Sequence, residues 1–182
     1  MTARSVSRER PLLFLDVDGP LIPFGGPPSS HPARLVARLP AGLAAHLLLS
    51  RLDPAHGARL SALPCTPVWA TTWMADANDY LAPLLGLPPL DVVVWPEPSA
   101  VDERDGRRGL HWKTRTIVSW ATGRSFVWVD DEITPADRSW VSAHHPGRAL
   151  LHRVDPTRGL TPADYAVLHD WLRRNTAPPA QP

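Results

Sequence analysis

The 182-residue chain (20.0 kDa) has the size of one domain, and with 43% hydrophobic and 20% charged residues it can bury enough apolar surface to fold. Nineteen Lys and Arg residues balance 18 Asp and Glu, so the formal net charge of +1 neither favours nor excludes a nucleic-acid partner, and any basic surface has to be local. The single cysteine, Cys65, excludes an internal disulfide, and no run is long enough to span a membrane, so we expect a cytoplasmic protein without a membrane partner.

The first predicted element is a buried strand that begins at Pro11 and ends at acidic residues. The run from Leu12 to Leu15 is wholly apolar, which is typical of a central parallel strand, and Asp16 and Asp18 follow it before Gly19. Ligands bind at the C-terminal edge of open α/β sheets, so these acids are candidates for a site. Taken alone, the pattern fits equally well a buried strand followed by a solvated Asp-Gly turn.

Three segments are predicted to lie outside the regular layers. Residues 1–10 are polar and are expected to be a flexible lead-in, and 175–182 a flexible tail, so that one domain spans 11–174. Residues 21–50 begin with a Pro- and Gly-rich run and continue with two apolar segments around a turn. This pattern favours a loop followed by a β-hairpin flap, with a short helix from Pro32 as the alternative.

The remaining chain alternates predicted strands with predicted helices. Strands are expected over 67–70, 91–95, 125–129 and 149–154, helices from Asp53, over 76–85, over 112–121, from Thr134 and from Leu160, and a charged loop over 97–110. Two of the helix starts carry a capping threonine before a proline, at Thr134 and Thr161. This order predicts an α/β fold with a doubly wound, mainly parallel Rossmann-like sheet.

Polar side chains follow three of the predicted strands, and one lysine begins an intervening helix. Because parallel strands share one C-terminal edge, groups that are far apart in the sequence can meet there. Crowded carboxylates raise one another's pKa values unless cations are present, and Mg²⁺ together with a lysine ammonium would supply them. The arrangement suits phosphoryl transfer through an aspartate nucleophile. The residues are Asp16, Asp18, Thr71, Thr72, Lys113, Asp130 and Asp131.

Four stretches in this order resemble the motifs of the haloacid dehalogenase (HAD) superfamily, in its phosphatase branch. Each motif alone is common, so the specificity lies in their order, and the resemblance extends from Leu12 to the C-terminal helix. It implies a HAD-like fold with a small flap and no large cap domain. Stretches 68–78 and 111–131 also resemble a bacterial group related to the phosphatase domain of RNA-repair proteins. The four motifs are Leu13 to Gly19, Val68 to Thr72, Lys113, and Phe126 to Asp131.

The resemblance implies roles for the residues of the first motif. Asp16 would be the nucleophile that forms a phosphoaspartate, and it would also bind Mg²⁺. Asp18 would protonate the leaving oxygen and then activate water, with its backbone carbonyl as a second metal ligand. Gly19 would let the chain turn towards the flap and would contact the substrate. Pro20 departs from the small hydroxyl residue that many members carry after the glycine, and it would stiffen this turn.

The other motifs have implied roles in binding phosphate and metal. Thr71 would hold the transferring phosphoryl group by a hydrogen bond, and Thr72 is the substrate-binding alternative if the register differs by one residue. Lys113 would neutralise charge on the nucleophile and the phosphate. Asp130 and Asp131 would bind Mg²⁺ directly or through water.

The sequence thus predicts a Mg²⁺-dependent phosphomonoester hydrolase whose substrate is a phosphorylated small molecule or a nucleic-acid end. The alternatives are a nucleic-acid end-processing enzyme of the 3′-phosphatase type and a non-catalytic HAD-like binding module. Segment 104–115 mixes cations with an aromatic side chain and could bind a single strand, but a solvated loop with Trp112 packed inward is the favoured interpretation. Trp69, Trp95 and Trp128 lie on predicted strands and are expected to be core residues.

Overall fold

The computed structural model of the chain describes residues 10–26 and 49–176. Within these ranges five parallel strands form one sheet in the order β3-β2-β1-β4-β5, covered by helices on both faces. The predicted α/β, Rossmann-like fold is confirmed. The strands are β1 (Leu12–Leu15), β2 (Thr66–Trp69), β3 (Asp91–Val92), β4 (Phe126–Asp130) and β5 (Ala149–Arg153). The helices are α1 (Ala55–Ser61), α2 (Ala82–Leu85), α3 (Ala100–Arg107), α4 (Thr114–Ala121), α5 (Pro135–His144) and α6 (Pro162–Thr176), and a π-helical turn (Ala77–Leu81) runs into α2.

The central position of β1 follows from its four apolar side chains. Leu13 and Leu15 pack into one core with helices α1, α2 and α6, whereas Leu12 and Phe14 pack into a second core with α4 and α5. All four are fully buried. Because successive side chains of a strand point to opposite faces, only a strand apolar at every position can occupy the middle of such a sandwich.

The order of the strands creates a crevice beside β1. The chain runs from β1 outward through β2 and β3, and then returns to place β4 on the other side of β1. The connections therefore diverge between β1 and β4, and the C-terminal ends of these two strands border an open crevice. Ligands of doubly wound sheets bind at such a point, so the ends of β1 and β4 are where a site is expected.

The structure corrects two element predictions. Segment 97–110 is not a loop, because α3 forms within it and begins with a capping box in which Ser99 and Asp102 bond each other's backbone N–H groups. Such a cap stabilises a helix by about 1 kcal/mol. Strand β3 pairs over two residues instead of the predicted 91–95, because its partner β2 ends at Trp69 and leaves no further backbone to bond after the amide of Val93.

The structure describes parts of the predicted flap and of the predicted tail, and Cys65. The central part of the predicted flap, 27–48, lies outside the described residues, and its end is a single 3₁₀ turn at Leu49–Arg51. Helix α6 includes the first two residues that the sequence places in the tail. The Cys65 thiol is buried, which raises its pKa to about 12 and makes it unreactive. Among the described residues no helix has the length and apolarity that crossing a membrane requires.

Candidate active site

Three carboxylates and one ammonium meet at the crevice beside β1. Asp16 follows β1 and Asp130 ends β4, so the parallel pairing of these strands brings both to one edge. The Nζ atom of Lys113 lies 2.8 Å from Asp16 Oδ2 and 2.9 Å from Asp130 Oδ2. One carboxylate oxygen from each of Asp16, Asp130 and Asp131 lies within 4.8 Å of the others. All four residues are at most 7% exposed.

Lys113, the only lysine in the sequence, is anchored on both sides by one buried carboxylate. Asp137 Oδ1 accepts hydrogen bonds from the backbone N–H of His111 (2.8 Å) and from the hydroxyl of Thr114 (2.6 Å). The other oxygen of Asp137 completes the capping box with Thr134 at the start of α5. The sequence indicates the cap, but only the fold shows that Asp137 also fixes the segment that carries Lys113.

The cluster formed by Asp16, Asp130, Asp131 and Lys113 has fewer positive than negative charges. Burial raises the pKa of Asp16 to about 7. The nearby Lys113 lowers this pKa, but repulsion from Asp130 raises it and offsets part of the effect of Lys113. Burial and the neighbouring Asp130 raise the pKa of Asp131 to about 6. Burial alone would lower the pKa of Lys113, but Asp16 and Asp130 outweigh it and the pKa is raised. One ammonium thus faces three carboxylates, and a divalent cation would restore the balance.

The donor set of the cluster fits Mg²⁺. Asp16, Asp130 and Asp131 offer only carboxylate oxygens, the ligands that this hard cation prefers, and they leave room in its coordination for water and phosphate. These three residues are the ones that would hold the ion. The predicted metal ligands Asp16, Asp130 and Asp131 are therefore compatible with the geometry. Asp18 was predicted to bind Mg²⁺ through its backbone carbonyl, and this ligand stays a prediction, because the group consists of side-chain oxygens only.

A neighbouring group of possible ligands fits a metal less well. His111, Asp130 and Glu132 also approach one another. The backbone N–H of Lys113 donates to His111 Nδ1 (3.1 Å), so the ring proton lies on Nε2, which donates to Glu132 (3.0 Å). Because both ring nitrogens are engaged, we assign His111 a role in holding Lys113 rather than a role as a metal ligand.

The raised carboxyl pKa values lead to a prediction about stability without metal. The folded chain holds a proton on Asp131 between its ordinary pKa of 3.8 and its raised pKa of about 6, whereas the unfolded chain has lost it there. Stability therefore falls as the pH rises through this window. We expect thermal unfolding to show that Asp131→Asn gains stability relative to wild type between pH ~4 and pH ~6.

Magnesium provides the second arm of this measurement. At a pH above the raised pKa values, saturating Mg²⁺ should increase the melting temperature of wild type, because the ion binds the folded chain, and it should increase that of Asp131→Asn much less. Identical pH dependence in the two proteins, or an equal response to Mg²⁺, would show that Asp131 does not contribute to the cluster as described.

A tryptophan that the sequence did not assign to the site connects Asp18 with Thr71. The indole N–H of Trp73 donates to Asp18 Oδ2 (3.0 Å), and its backbone N–H lies 3.3 Å from the hydroxyl oxygen of Thr71. The side chain of Asp18 is half-buried, Thr71 is fully buried, and Thr72 is exposed. Trp73 thus orients the carboxylate that was predicted to move protons. No sequence periodicity signals this contact, since it depends on how the chain turns after β2.

Gly19 lies in a place that no other residue can occupy without strain. Its φ angle is +87°, and a Cβ atom there would lie 2.5 Å from Asp131 Oδ1. Its backbone N–H donates to the carbonyl of Ile22 (3.0 Å), which closes the turn after β1. The predicted turn at Gly19 is therefore present, and it packs directly against a carboxylate of the cluster.

Two further indole rings, those of Trp95 and Trp112, lie near the Lys113 ammonium, and both are less buried than predicted. Trp112 is 43% exposed instead of packed inward, because His111 takes the inward position and packs against Trp128 with ring centroids 5.7 Å apart. Trp95 is only partly buried, because it lies beyond the end of β3, and its indole N–H donates to the carbonyl of Thr71 (3.0 Å). The core positions expected of Trp69 and Trp128 are found.

One comparison with known proteins finds a match, and this match agrees with the fold. No curated protein and no solved structure matches the chain significantly. A sequence model of the family described as the HAD domain in Swiss Army Knife RNA repair proteins matches residues 12–165. The match begins with β1, extends into α6 and includes every strand of the sheet. The chain therefore belongs to the haloacid dehalogenase superfamily, in the family of HAD domains of Swiss Army Knife RNA repair proteins.

Proposed function

We propose that the protein is a Mg²⁺-dependent phosphomonoester hydrolase that acts through a phosphoaspartate on Asp16. The observation that carries this proposal is the buried ammonium of Lys113 shared between Asp16 and Asp130, in a chain of the HAD superfamily. An aspartate attacks phosphorus only if its charge and that of the phosphate are neutralised together, and this pairing supplies one of the cations needed.

The first step transfers the phosphoryl group to the protein. A carboxylate oxygen of Asp16 attacks phosphorus, and the bond from phosphorus to the ester oxygen breaks. Asp18, in its protonated form, gives its proton to the leaving oxygen, so that an alcohol departs. Lys113 and Thr71 hold the oxygens of the phosphoryl group, and Trp73 keeps the carboxyl group of Asp18 in a fixed orientation.

The second step restores the protein. Asp18, now a carboxylate, takes a proton from a water molecule whose oxygen attacks the phosphorus of the phosphoaspartate. The bond between phosphorus and the Asp16 oxygen breaks, inorganic phosphate leaves, and Asp18 is protonated again. When bound by Asp16, Asp130 and Asp131, Mg²⁺ would neutralise charge that develops on the phosphoryl oxygens.

The substrate class that we infer is a phosphorylated nucleic-acid end, as for a 3′-phosphatase. Membership in a family of RNA-repair HAD domains supports this inference over a small phosphate ester. The exposed indole of Trp112 near Lys113 also supports it, since single-stranded nucleic acid is commonly bound on aromatic side chains. The single, buried Cys65 fits a protein of the reducing cytoplasm, where we place this activity.

Phosphate release from a panel of substrates tests this function. Wild-type protein should release phosphate from a generic aryl phosphate with Mg²⁺, and excess chelator should abolish the release. RNA with a 3′-phosphate should compete better than 5′-phosphorylated RNA, sugar phosphates and nucleotides. If no phosphate is released from any of these substrates while a partner still binds, the protein is a HAD-like binding module instead of an enzyme.

A further inference from the structure

Trp112 is the exposed member of a group of rings at the edge of the candidate site. All eight tryptophans lie within the described residues, and the other seven are buried or half-buried. Trp95 meets Trp112 edge to face with ring centroids 4.9 Å apart, and His111 stacks on it at 5.5 Å. An exposed indole ring this close to the candidate site offers a flat apolar face on which a ligand can stack.

The backbone at Trp112 is held in place through its neighbours in the sequence. Asp137 accepts hydrogen bonds from the backbone of His111 and from the side chain of Thr114, on either side of Trp112. Lys113 is fixed in turn by Asp16 and Asp130. The backbone position of Trp112 is therefore determined by the same contacts that fix the catalytic ammonium. Because the ring also packs against Trp95 and His111, little side-chain entropy is lost when a ligand stacks on it.

The distance from the Lys113 Nζ atom to the Trp112 ring is comparable to the distance between the phosphate and the base of one nucleotide. Lys113 Nζ lies 5.6 Å from the centroid of the Trp112 ring and 2.8 Å from Asp16 Oδ2. A phosphoryl group in contact with Asp16 and Lys113 would be joined to its own base by a single ribose. The base of the phosphorylated nucleotide can therefore reach the exposed ring while its phosphate lies on the nucleophile.

The surface around Trp112 has the other properties of a site for single-stranded nucleic acid. Arg107 and Arg108 are exposed at the end of α3, a few residues before Trp112 in the chain. Trp95, whose ring contacts Trp112, also borders a cleft of about 470 Å³ that is lined by Val94 and Trp120. Cations that attract the backbone beside apolar surface for bases are the pattern of such proteins.

We propose that Trp112 stacks on the nucleobase of the nucleotide whose phosphate is removed, and so selects phosphorylated ends of single-stranded RNA that carry an unpaired terminal base. The proposal rests on the proposed function, because it assumes that the phosphate lies at Asp16 and Lys113. It adds a residue that determines specificity but takes no part in the chemical steps. A phosphorylated end whose terminal base is held in a duplex could not stack in this way.

Two matched substrates test the proposal on wild-type protein. One is a short RNA with a terminal 3′-phosphate, and the other is the same RNA with an abasic terminal nucleotide that keeps the ribose and the phosphate. We expect kcat/KM to be higher for the first by about 5- to 150-fold, which corresponds to the stacking of one base. Trp112→Ala should remove most of this preference, and Trp112→Phe should retain much of it.

A control variant and two contrary results complete this experiment. Trp171, which packs against the core on the other face of the sheet, is the matched control, and Trp171→Phe should keep the wild-type preference. Equal kcat/KM for the two RNAs in wild type would overturn the proposal. So would a preference that survives in Trp112→Ala, which would show that groups other than the exposed ring recognise the terminal base.

Binding measurements separate this proposal from the proposed function. Fluorescence anisotropy of the two labelled RNAs with Asp16→Asn protein measures the same preference without turnover. If wild type releases no phosphate but the Asp16→Asn protein still prefers the RNA with the terminal base in a Trp112-dependent way, the hydrolase fails and the stacking site stands. If phosphate is released and neither measurement shows a preference, the hydrolase stands and the stacking site fails.

Discussion

Replacement of Asp16 by asparagine is expected to reduce Mg²⁺-dependent phosphate release by at least about 10³-fold. The amide has nearly the shape of the carboxylate, but its oxygen is too weak a nucleophile to attack phosphorus. The variant should stay folded, because the substitution removes a carboxylate whose burial raises its pKa to about 7 and leaves Lys113 paired with Asp130. Steady-state phosphate release and thermal unfolding, measured on the same preparations, check both expectations.

Two further variants distinguish a lost nucleophile from a general loss of charge. Asp170→Asn removes an exposed carboxylate from α6 and should keep the wild-type rate. Asp18→Asn should lower kcat/KM, which reports the transfer of the phosphoryl group to Asp16 and not the later attack of water, by about 10²- to 10⁴-fold for an alkyl phosphate. The effect on kcat/KM should be smaller for an aryl phosphate, whose leaving oxygen needs no proton. Equal rates for Asp16→Asn and wild type would rule out the phosphoaspartate, and equal sensitivity of Asp18→Asn to both esters would rule out leaving-group protonation.

The parts of the fold that were predicted correctly are those that leave a local signal. The wholly apolar run of β1 can be stable only between two layers, and a threonine before a proline marks the start of α5 and of α6. Once the strands are known to be parallel, their C-terminal ends must share one edge. The meeting of Asp16 with Asp130 therefore follows from the strand pattern, although 113 residues lie between them in the sequence.

Helix α3 was missed because its stability depends on contacts that local sequence does not display. Its residues are mostly charged, which resembles a solvated loop. In the fold, Asp105 of α3 forms a bidentate ion pair with Arg115 of α4, and the capping box at Ser99 satisfies the first backbone N–H groups. The Ser-x-x-Asp spacing could have revealed the cap, but the ion pair becomes visible only when α3 and α4 are brought together.

The tryptophans of the site were misjudged for a similar reason. Residue type identifies an acid or a lysine as a candidate, whereas an indole ring is first interpreted as core. Whether Trp73 contacts Asp18, or Trp112 faces solvent, depends on turns after β2 and before α4 that have no periodic pattern. One available signal is composition: a chain that uses arginine for all its other cations places its only lysine next to Trp112.

Removal of the Lys113 charge is expected to affect both stability and catalysis. In Lys113→Met, Asp16 and Asp130 lose the ammonium that lies within 2.9 Å of each. Breaking a buried ion pair by removing one partner typically costs about 3–5 kcal/mol, so the metal-free variant should unfold at a clearly lower temperature. The loss should be greatest above neutral pH, because at lower pH Asp16 can take up a proton. Saturating Mg²⁺ should recover part of this stability.

Catalysis by Lys113→Met should not recover in the same way. The ammonium and the metal neutralise different parts of the developing charge, so the rate should stay about 10²- to 10³-fold below wild type at saturating Mg²⁺. Arg173→Met, which removes an exposed cation from α6, is the matched control. A wild-type rate in Lys113→Met would show that this ammonium does not act on the phosphoryl group.

The single lysine allows the electrostatic part of this prediction to be measured directly. Nitrogen-labelled lysine gives one side-chain ammonium resonance in the whole protein, because Lys113 is the only lysine. Its pKa should lie above the ordinary lysine value in metal-free wild type, since Asp16 and Asp130 outweigh burial, and it should fall in Asp16→Asn, where one of the two carboxylates is gone. A pKa that does not change between the two proteins would mean that Asp16 and Lys113 are not paired in solution.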